Sequence, residues 1–499
     1  MAGAHNCIHT HANFADLCLG QWTKRATITA FAFADIFERS KTKSRCHKFG
    51  QLRDTVSLVP KLSIFILFAS LGLSPKLVAQ TSGSSRPIAL RAARLLDGKS
   101  DIPLPNAVVL IDGERIVAIG SGLAVPPGTE VLDLGDETLL PGLIDAHTHL
   151  LLELSGENAG AQYDDMLQVV ATESTAQRAL LGAKLGREDL EAGITTVRDV
   201  GNSGVNGDVA LRDAIDRGWI PGPRIVASTR ALAAPGGQFG RLTPEAQKLV
   251  EQEYVTINGP DSARQAVRQA LYDGANCIKV IVNGNPADVT LDELRAIVEE
   301  AHSAKAKVAA HATSDRTTRI AAEAGVDSIE HAYTVSDDVL RMMAQKHIFL
   351  IPTDGTIETY MATDFGNRQP TAEERARALA NAKLFFAGNQ DRLRRALAMG
   401  VPIASGSDTY LTIGGKNRGE ASLLVLEAYA AEGMKPLEII RAATSHAAEL
   451  LGLQNNLGTL EKGKLADIIA VPGDPLKDVT VLEHARLVMK GGVIVKNQK

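Results

Sequence analysis

Residues 142–150 read GLIDAHTHL and follow the turn signal LPG. The run is apolar enough for a buried strand. In a strand, residues i and i+2 face the same side, so His147 and His149 project together. Two imidazoles on one face can grip a metal ion; they can equally be a structural pair. A second His-Thr-His stands in CIHTHAN, residues 7–13. No buried strand precedes it to fix the rings. No second Cys/His pair stands at zinc-finger spacing beside Cys7. The expected metal-binding copy is therefore 147–149.

Outward from this stretch, apolar strand-like runs alternate with amphipathic segments. The candidate strands are GLIDAH, ITTVRDV, PRIVAST, CIKVIV, KVAAHA, VDSIEHA, IFLIPT and VPIASGSD. Helical patterns such as SARQAVRQALYDGA and LDELRAIVEEAHSAK lie between them. Eight such strands predict an α/β fold, a (β/α)8 TIM-like barrel over residues 141–454. Residues 87–140 and 455–499 read instead as short strands punctuated by DG and GD turns. They predict a small β-sandwich domain built from both ends of the mature chain.

Hydrophobic residues make up 45% of the 499 and charged residues 22%, as in ordinary globular proteins. Aromatics are only 4%, which argues against stacking platforms for nucleic acid or carbohydrate. Residues 1–80 carry 10 Lys+Arg against 4 Asp+Glu, and the remainder carries 43 against 54. An acidic body with no basic stripe argues against a nucleic-acid partner. Cys277 is the one cysteine of the body, so the body has no internal disulfide.

Residues 62–73, LSIFILFASLGL, form an apolar run after Arg53 and Lys61, and LVAQ follows at 77–80. This is the layout of a secretory signal peptide over 56–80, cleaved near Ala79. Twelve apolar residues fall short of the roughly 20 that a spanning helix needs. The expected protein is exported, periplasmic or secreted, with no membrane attachment after cleavage; a tethered form is the alternative. Residues 1–55 have no clear period and read as a spurious or disordered extension ahead of a true start near Val56.

Other polar residues end apolar runs. His311 and His331 close KVAAHA and VDSIEHA, and Asp408 closes VPIASGSD. Taken singly, each histidine reads as a satisfied core residue. The carboxylate needs a partner, a metal or a strand end. Lys279, inside ANCIKVIVNG, is stranger still. Burying an ammonium is expensive and lowers its pKa, and a neutral amine there can act as a nucleophile or be modified.

Together these positions resemble the amidohydrolase superfamily. The likeness covers roughly residues 88–497: PGLIDAHTHL after strand one, Lys279 after four, His311 after five, His331 after six, Asp408 after eight. ITTVRDVG and IEHA resemble the branch of prolidase-like dipeptidases, N-acyl amino acid hydrolases and mycotoxin-cleaving amidases. The resemblance implies two divalent ions. Zinc suits the imidazole and carboxylate ligands, and manganese or cobalt could substitute. It implies that Lys279 is an N6-carboxylysine bridging both ions. His147, His149 and Asp408 would complete the buried site, and His311 and His331 the more exposed one. It also implies attack of a metal-bridging hydroxide on the amide of a dipeptide (Xaa-Pro-like or Xaa-Arg/Lys-like) or an N-acyl amino acid, with Asp408 as general base.

For substrate contacts the sequence offers Tyr333, two residues after His331, which faces the same way if the strand continues. The loop APGGQFGRL, 234–242, offers Gln238 and Arg241. A histidine often stands at the Gln238 position in the prolidase-like branch, so strict dipeptidase specificity does not carry over. Arg241 could pair with a substrate carboxylate or simply be solvated. Arg198 and Asp199 read as a mutual ion pair, and His302, His347, His446 and His484 as structural. Competing readings are a deaminase or cyclic-imide hydrolase of the imidazolonepropionase kind, and a non-enzymatic metal-binding scaffold. Relatives commonly form homo-oligomers; no interface is legible here.

Overall fold

The computed structural model describes residues 86–154, 162–284, 287–365 and 369–498. The first His-Thr-His and the expected signal peptide lie outside the described residues. No described helix is long and apolar enough to cross a membrane.

The body opens with β1 (Ile88–Leu95), β2 (Leu104–Asp112), β3 (Arg115–Ser121), β4 (Glu130–Asp133) and β5 (Glu137–Pro141). Next come β6 (Leu143–Thr148), β7 (Ile194–Asp199), β8 (Arg224–Ala227), β9 (Ala231–Ala233) and β10 (Tyr254–Thr256). Four more follow: β11 (Cys277–Ile281), β12 (Lys307–Ala312), β13 (Ser328–His331) and β14 (Phe349–Ile351). The chain closes with β15 (Ile468–Pro472), β16 (Leu487–Lys490) and β17 (Val493–Asn497).

Both ends of the body contribute to one eight-stranded sheet, in the order β17-β16-β15-β5-β1-β2-β3 with β4 beside β1. Alternate residues of these strands, among them Leu90, Val109, Ile468 and Met489, share one apolar cluster. The β3 edge does not end in solvent. Ile116 N donates to Lys464 O at 3.0 Å and Ala466 N to Glu114 O at 2.8 Å.

The middle holds two parallel sheets, β6-β7-β8 and β10-β9-β11-β12-β13-β14. Side-chain alternation decides what each face carries. Ile278, Val280, Val308, Ala310 and Ile329 join the main apolar core under the helices. Lys279, His311 and Glu330 occupy the alternate positions and face the other way. Helices are started by sequence signals: Ser174, Thr290 and Asn417 form capping boxes ahead of Thr175–Ala192, Leu291–Ser303 and Arg418–Ala431.

Three expectations change. β9 and β10 are short parallel strands that the apolar pattern does not single out. The run VPIASGSD is not a strand; it makes one bridge, Ile403 to Leu350. Pro402 has no N–H to give, and Asp408 has φ +50°, so a regular ladder is impossible. The segment still bonds on both sides. Leu350 N donates to Pro402 O at 2.9 Å, and Asp408 N donates to His147 O at 2.8 Å. Arg198 and Asp199 do not pair, because neighbours in a strand point to opposite faces. Arg198 instead reaches Glu330, and Asp199 accepts from the N–H groups of Leu150 and Gly201.

Asp189, in the helix Thr175–Ala192, is fully buried against Arg418–Ala431, where Ser422 donates to it at 3.1 Å. Burial raises its carboxyl to about 7, with Arg418 opposing. The folded state thus holds a proton that an unfolded chain releases near pH ~4. The stability this contributes is present below that value and lost as pH rises through 7. In denaturant titrations of the metal-free protein, Asp189→Asn is expected to flatten the fall in stability between about pH 4 and 7. An unchanged slope would contradict this assignment.

Candidate metal centre

His147 at the end of β6 and His149 just beyond it converge on Asp408. Asp408 Oδ1 lies 3.4 Å from His147 Nε2 and 3.2 Å from His149 Nε2. Ligand atoms of the three lie within 4.8 Å of one another. His331 Nδ1 stands 3.9 Å from the other Asp408 oxygen. The rings of His311 and His331 are 4.6 Å apart, and those of His147 and His331 are 5.2 Å apart. These five residues and Lys279 line one open cavity of about 890 Å³.

The surroundings select one nitrogen on most of the rings. His147 Nδ1 donates to the Glu330 carboxylate at 2.6 Å, and His149 Nδ1 to Gly201 O at 2.8 Å. Each leaves Nε2 as the ring atom that faces Asp408. Thr353 spends its proton on Pro352 O, so His331 Nδ1 donates to the Thr353 oxygen at 2.7 Å. The side-chain amides of Asn283 and Gln238 donate to His311 Nε2 at 3.3 and 3.4 Å. Asp199 holds the Gly201 N–H and Ser203 hydroxyl, which fixes the carbonyl that His149 uses.

Burial sets the charges. It pushes the Lys279 amine down to about 8, against the pull of Glu330 and Asp408. His311 falls to about 3, through burial and then the Lys279 charge. Burial alone would raise the Asp408 carboxyl; His147, His149 and His331 reverse this and hold it well below the usual range. Burial would likewise raise Glu330, and Arg198 and His147 hold it well below. Burial likewise pushes His331 well below the usual imidazole range, and the site presents buried imidazoles around a carboxylate. That donor set fits a divalent ion of the zinc type.

Backbone geometry at the strand ends is unusual. His331, Ala332, Thr353 and Asp408 all have left-handed φ, between +48° and +74°. Such conformations are costly for non-glycine residues and persist only where the surroundings over-determine them. Gly406 must be glycine: a Cβ there would lie 2.6 Å from His147 Cβ.

Of the expected substrate contacts, Tyr333 and Gln238 line the cavity. Tyr333 does so although β13 stops at His331; the left-handed turn at 331–332 delivers it. Arg241 is exposed and is not among the lining residues, because the loop turns it to solvent. His302 pairs with Asp327, His347 with Glu449, and His446 with Ile403 O, all away from the cavity. Sequence reasoning missed Glu330, Asn283, Thr353 and Tyr410. Only Glu330 left a signal: a charged residue inside the apolar run VDSIEHA.

Residues 138–495 match the family model described as the amidohydrolase family. The chain belongs to the amidohydrolase family. The chain is 30% identical over 457 residues to an ochratoxinase of Aspergillus niger, covering 85% of this chain and 89% of that one. It is 25% identical over 406 residues to an imidazolonepropionase of Fusobacterium nucleatum, covering 73% and 84%. A crystal structure of a Xaa-Pro dipeptidase with bound methionine superposes with TM-score 0.68 and 31% identity, over 82% of this chain and all of that one. These relatives place this amidohydrolase in the prolidase-like branch and make it a hydrolase of amide bonds. They also imply a TIM-barrel-like α/β fold. Members of the family typically bind metal ions, and the His147–His149–Asp408 cluster is the matching group here.

Removing the carboxylate behind His147 is the sharpest probe of that cluster. Glu330→Gln keeps the shape but weakens the acceptor that holds the ring. Metal affinity, measured by chelator competition, is expected to fall roughly 10–100-fold. Wild-type affinity in a folded Glu330→Gln protein would contradict the orienting role.

Proposed function

We propose that this amidohydrolase is a binuclear zinc enzyme that cleaves the amide bond of dipeptides or N-acyl amino acids. The observation that carries this reading is the gathering of His147, His149, Lys279, His311, His331 and Asp408 on one cavity. His147, His149 and Asp408 would hold one ion, and His311 and His331 the other. A free ammonium at Lys279 would be a cation beside cations. Carboxylation by CO₂ would turn that cation into an anion, and Lys279 would then help to hold the ions. When bound, the ions would supply Lewis acidity, lowering the pKa of water towards ~7 and polarising the carbonyl.

The chain's own part in the reaction is proton traffic and positioning. Asp408, ionised and partly exposed to the cavity, takes the proton of the attacking water. It then returns that proton to the leaving nitrogen, an exchange worth roughly 10²–10⁴ in rate. Tyr333 and Gln238 border the space where the substrate would lie. Tyr254 donates to Gln238 Oε1 at 3.1 Å, so Gln238 turns its NH₂ towards His311 and the cavity.

The same reading takes the two parallel sheets as one closed (β/α)8 barrel. The bonds of 402–408 to β14 and β6, and of Asn276 to Ala227, support closure. It takes the end sheet as curled into a sandwich, supported by the meeting of β3 with 464–466. It includes export, supported by the apolar run at 62–73. Cyclic-imide hydrolysis is the second reading, favoured by the imidazolonepropionase relative; Lys279 argues against it, because such enzymes usually lack that lysine.

The test uses zinc-loaded protein starting near Gln80 against Xaa-Pro, Xaa-Arg and N-acyl amino acid panels. Amino-acid release is expected from wild type. Asp408→Asn is expected to fall below a tenth of that rate while remaining folded. Ammonia as the product, or more than a tenth of the rate in Asp408→Asn, would overturn the reading.

A further inference from the structure

A second cavity of about 890 Å³ shares Asp408, Tyr333 and Tyr410 with the first and touches none of the four histidines. Those three side chains therefore stand as a partition between two chambers. Leu411, Ile413, Leu424 and Val425 give the second chamber an apolar wall. The helix Ile357–Phe365 supplies Tyr360, whose hydroxyl already accepts from Gly355 N at 2.8 Å and Asn389 Nδ2 at 3.0 Å. Phe385 braces Tyr360 edge-on at 5.1 Å and braces Tyr333 at 4.9 Å.

The chamber's charge is settled too. Asp354 lines it, but its carboxylate is paired with the buried guanidinium of Arg392. Among the described lining residues there is no Lys or Arg. A basic side chain entering here would find Asp354 already matched, and Asp408 committed to the reaction. An apolar or aromatic side chain would meet Leu411, Ile413, Leu424 and Val425 on one side and uncharged hydroxyls such as those of Thr359, Thr363 and Thr409 on the rest of the wall.

Reaction chemistry says which half of a substrate belongs here. Hydrolysis breaks the C–N bond. The hydroxyl of water goes to the carbonyl carbon, and its proton goes through Asp408 to the nitrogen, giving a carboxylate and an amine. The leaving nitrogen must therefore come within hydrogen-bond reach of Asp408, about 2.6–3.2 Å. A group carried on that nitrogen has space on the side of Asp408 away from the histidines. We propose that the second chamber is the subsite for the leaving amine, and that it selects an uncharged apolar or aromatic side chain over a basic one. The inference rests on the amidase reading above and narrows its substrate class.

The test compares kcat/KM of the zinc-loaded enzyme for N-acetyl-phenylalanine, N-acetyl-glycine and N-acetyl-arginine. The phenylalanine substrate is expected to exceed each of the others by at least roughly tenfold. Ile413→Trp and Leu424→Trp, at separate positions on the wall, fill the chamber. Each is expected to lower the phenylalanine-to-glycine ratio at least roughly tenfold at unchanged metal content. An unchanged ratio in both folded variants, or a preference for arginine, overturns the subsite while leaving the amidase reading intact. No turnover of any of the three by wild type overturns both.

Discussion

Glu330 joins parts of the fold that strand pairing leaves separate. It sits on β13, in the six-stranded sheet, while its partners His147 and Arg198 sit on β6 and β7 of the other. One oxygen takes the His147 ring at 2.6 Å and the other takes Arg198 at 3.0 Å and Ser328 at 2.5 Å. Arg198 also grips Ala146 O at 2.6 Å, beside His147 itself. All of these side chains are buried, so neither charge can fall back on water. Removing one partner of such a pair typically costs about 3–5 kcal/mol. The same contacts that tie the sheets together therefore also aim the metal-binding ring.

Around that tie, the site is held by side chains that carry no chemistry themselves. Asp199 sets Gly201, and Gly201 sets His149. Thr353 sets His331, and Tyr254 sets Gln238. Left-handed backbone at His331 and Asp408 accompanies the turn of both side chains into the first cavity, and Thr353, also left-handed, lines the second. The cost of those conformations is offset by the packed interior beneath, where Ile144, Ala146, Phe349 and Ile351 share a buried cluster. Rigid strands below and strained turns above is the division of labour expected of strand-end active sites.

Much of this was legible in the chain. Strand periodicity placed seven of the eight expected strands, and the polar residues closing apolar runs marked the members of the cavity. Both signals are local, and both reflect burial, which composition records well. The rest depended on distance in space. VPIASGSD looks like a strand, but Pro402 and the turn at Asp408 break its ladder. Arg198 and Asp199 are adjacent in sequence, yet the pleat sends them to different partners. Glu330 shows as an odd charge in an apolar run, with nothing nearby to name Arg198 or His147 as its partners. Arg241 is exposed, and a glycine-rich loop does not reveal in sequence which side chain it turns inward. The second chamber is assembled from 333–363 and 407–425, and no single segment announces it.

The central claim is that six dispersed side chains close around two cations. Anomalous diffraction at the zinc edge, on crystals grown with zinc and bicarbonate, tests it most directly. The account expects two peaks, one among His147, His149 and Asp408 and one against His311 and His331, with density for a carboxylated Lys279 between them. A single peak, or two peaks with an unmodified Lys279 ammonium, would contradict it.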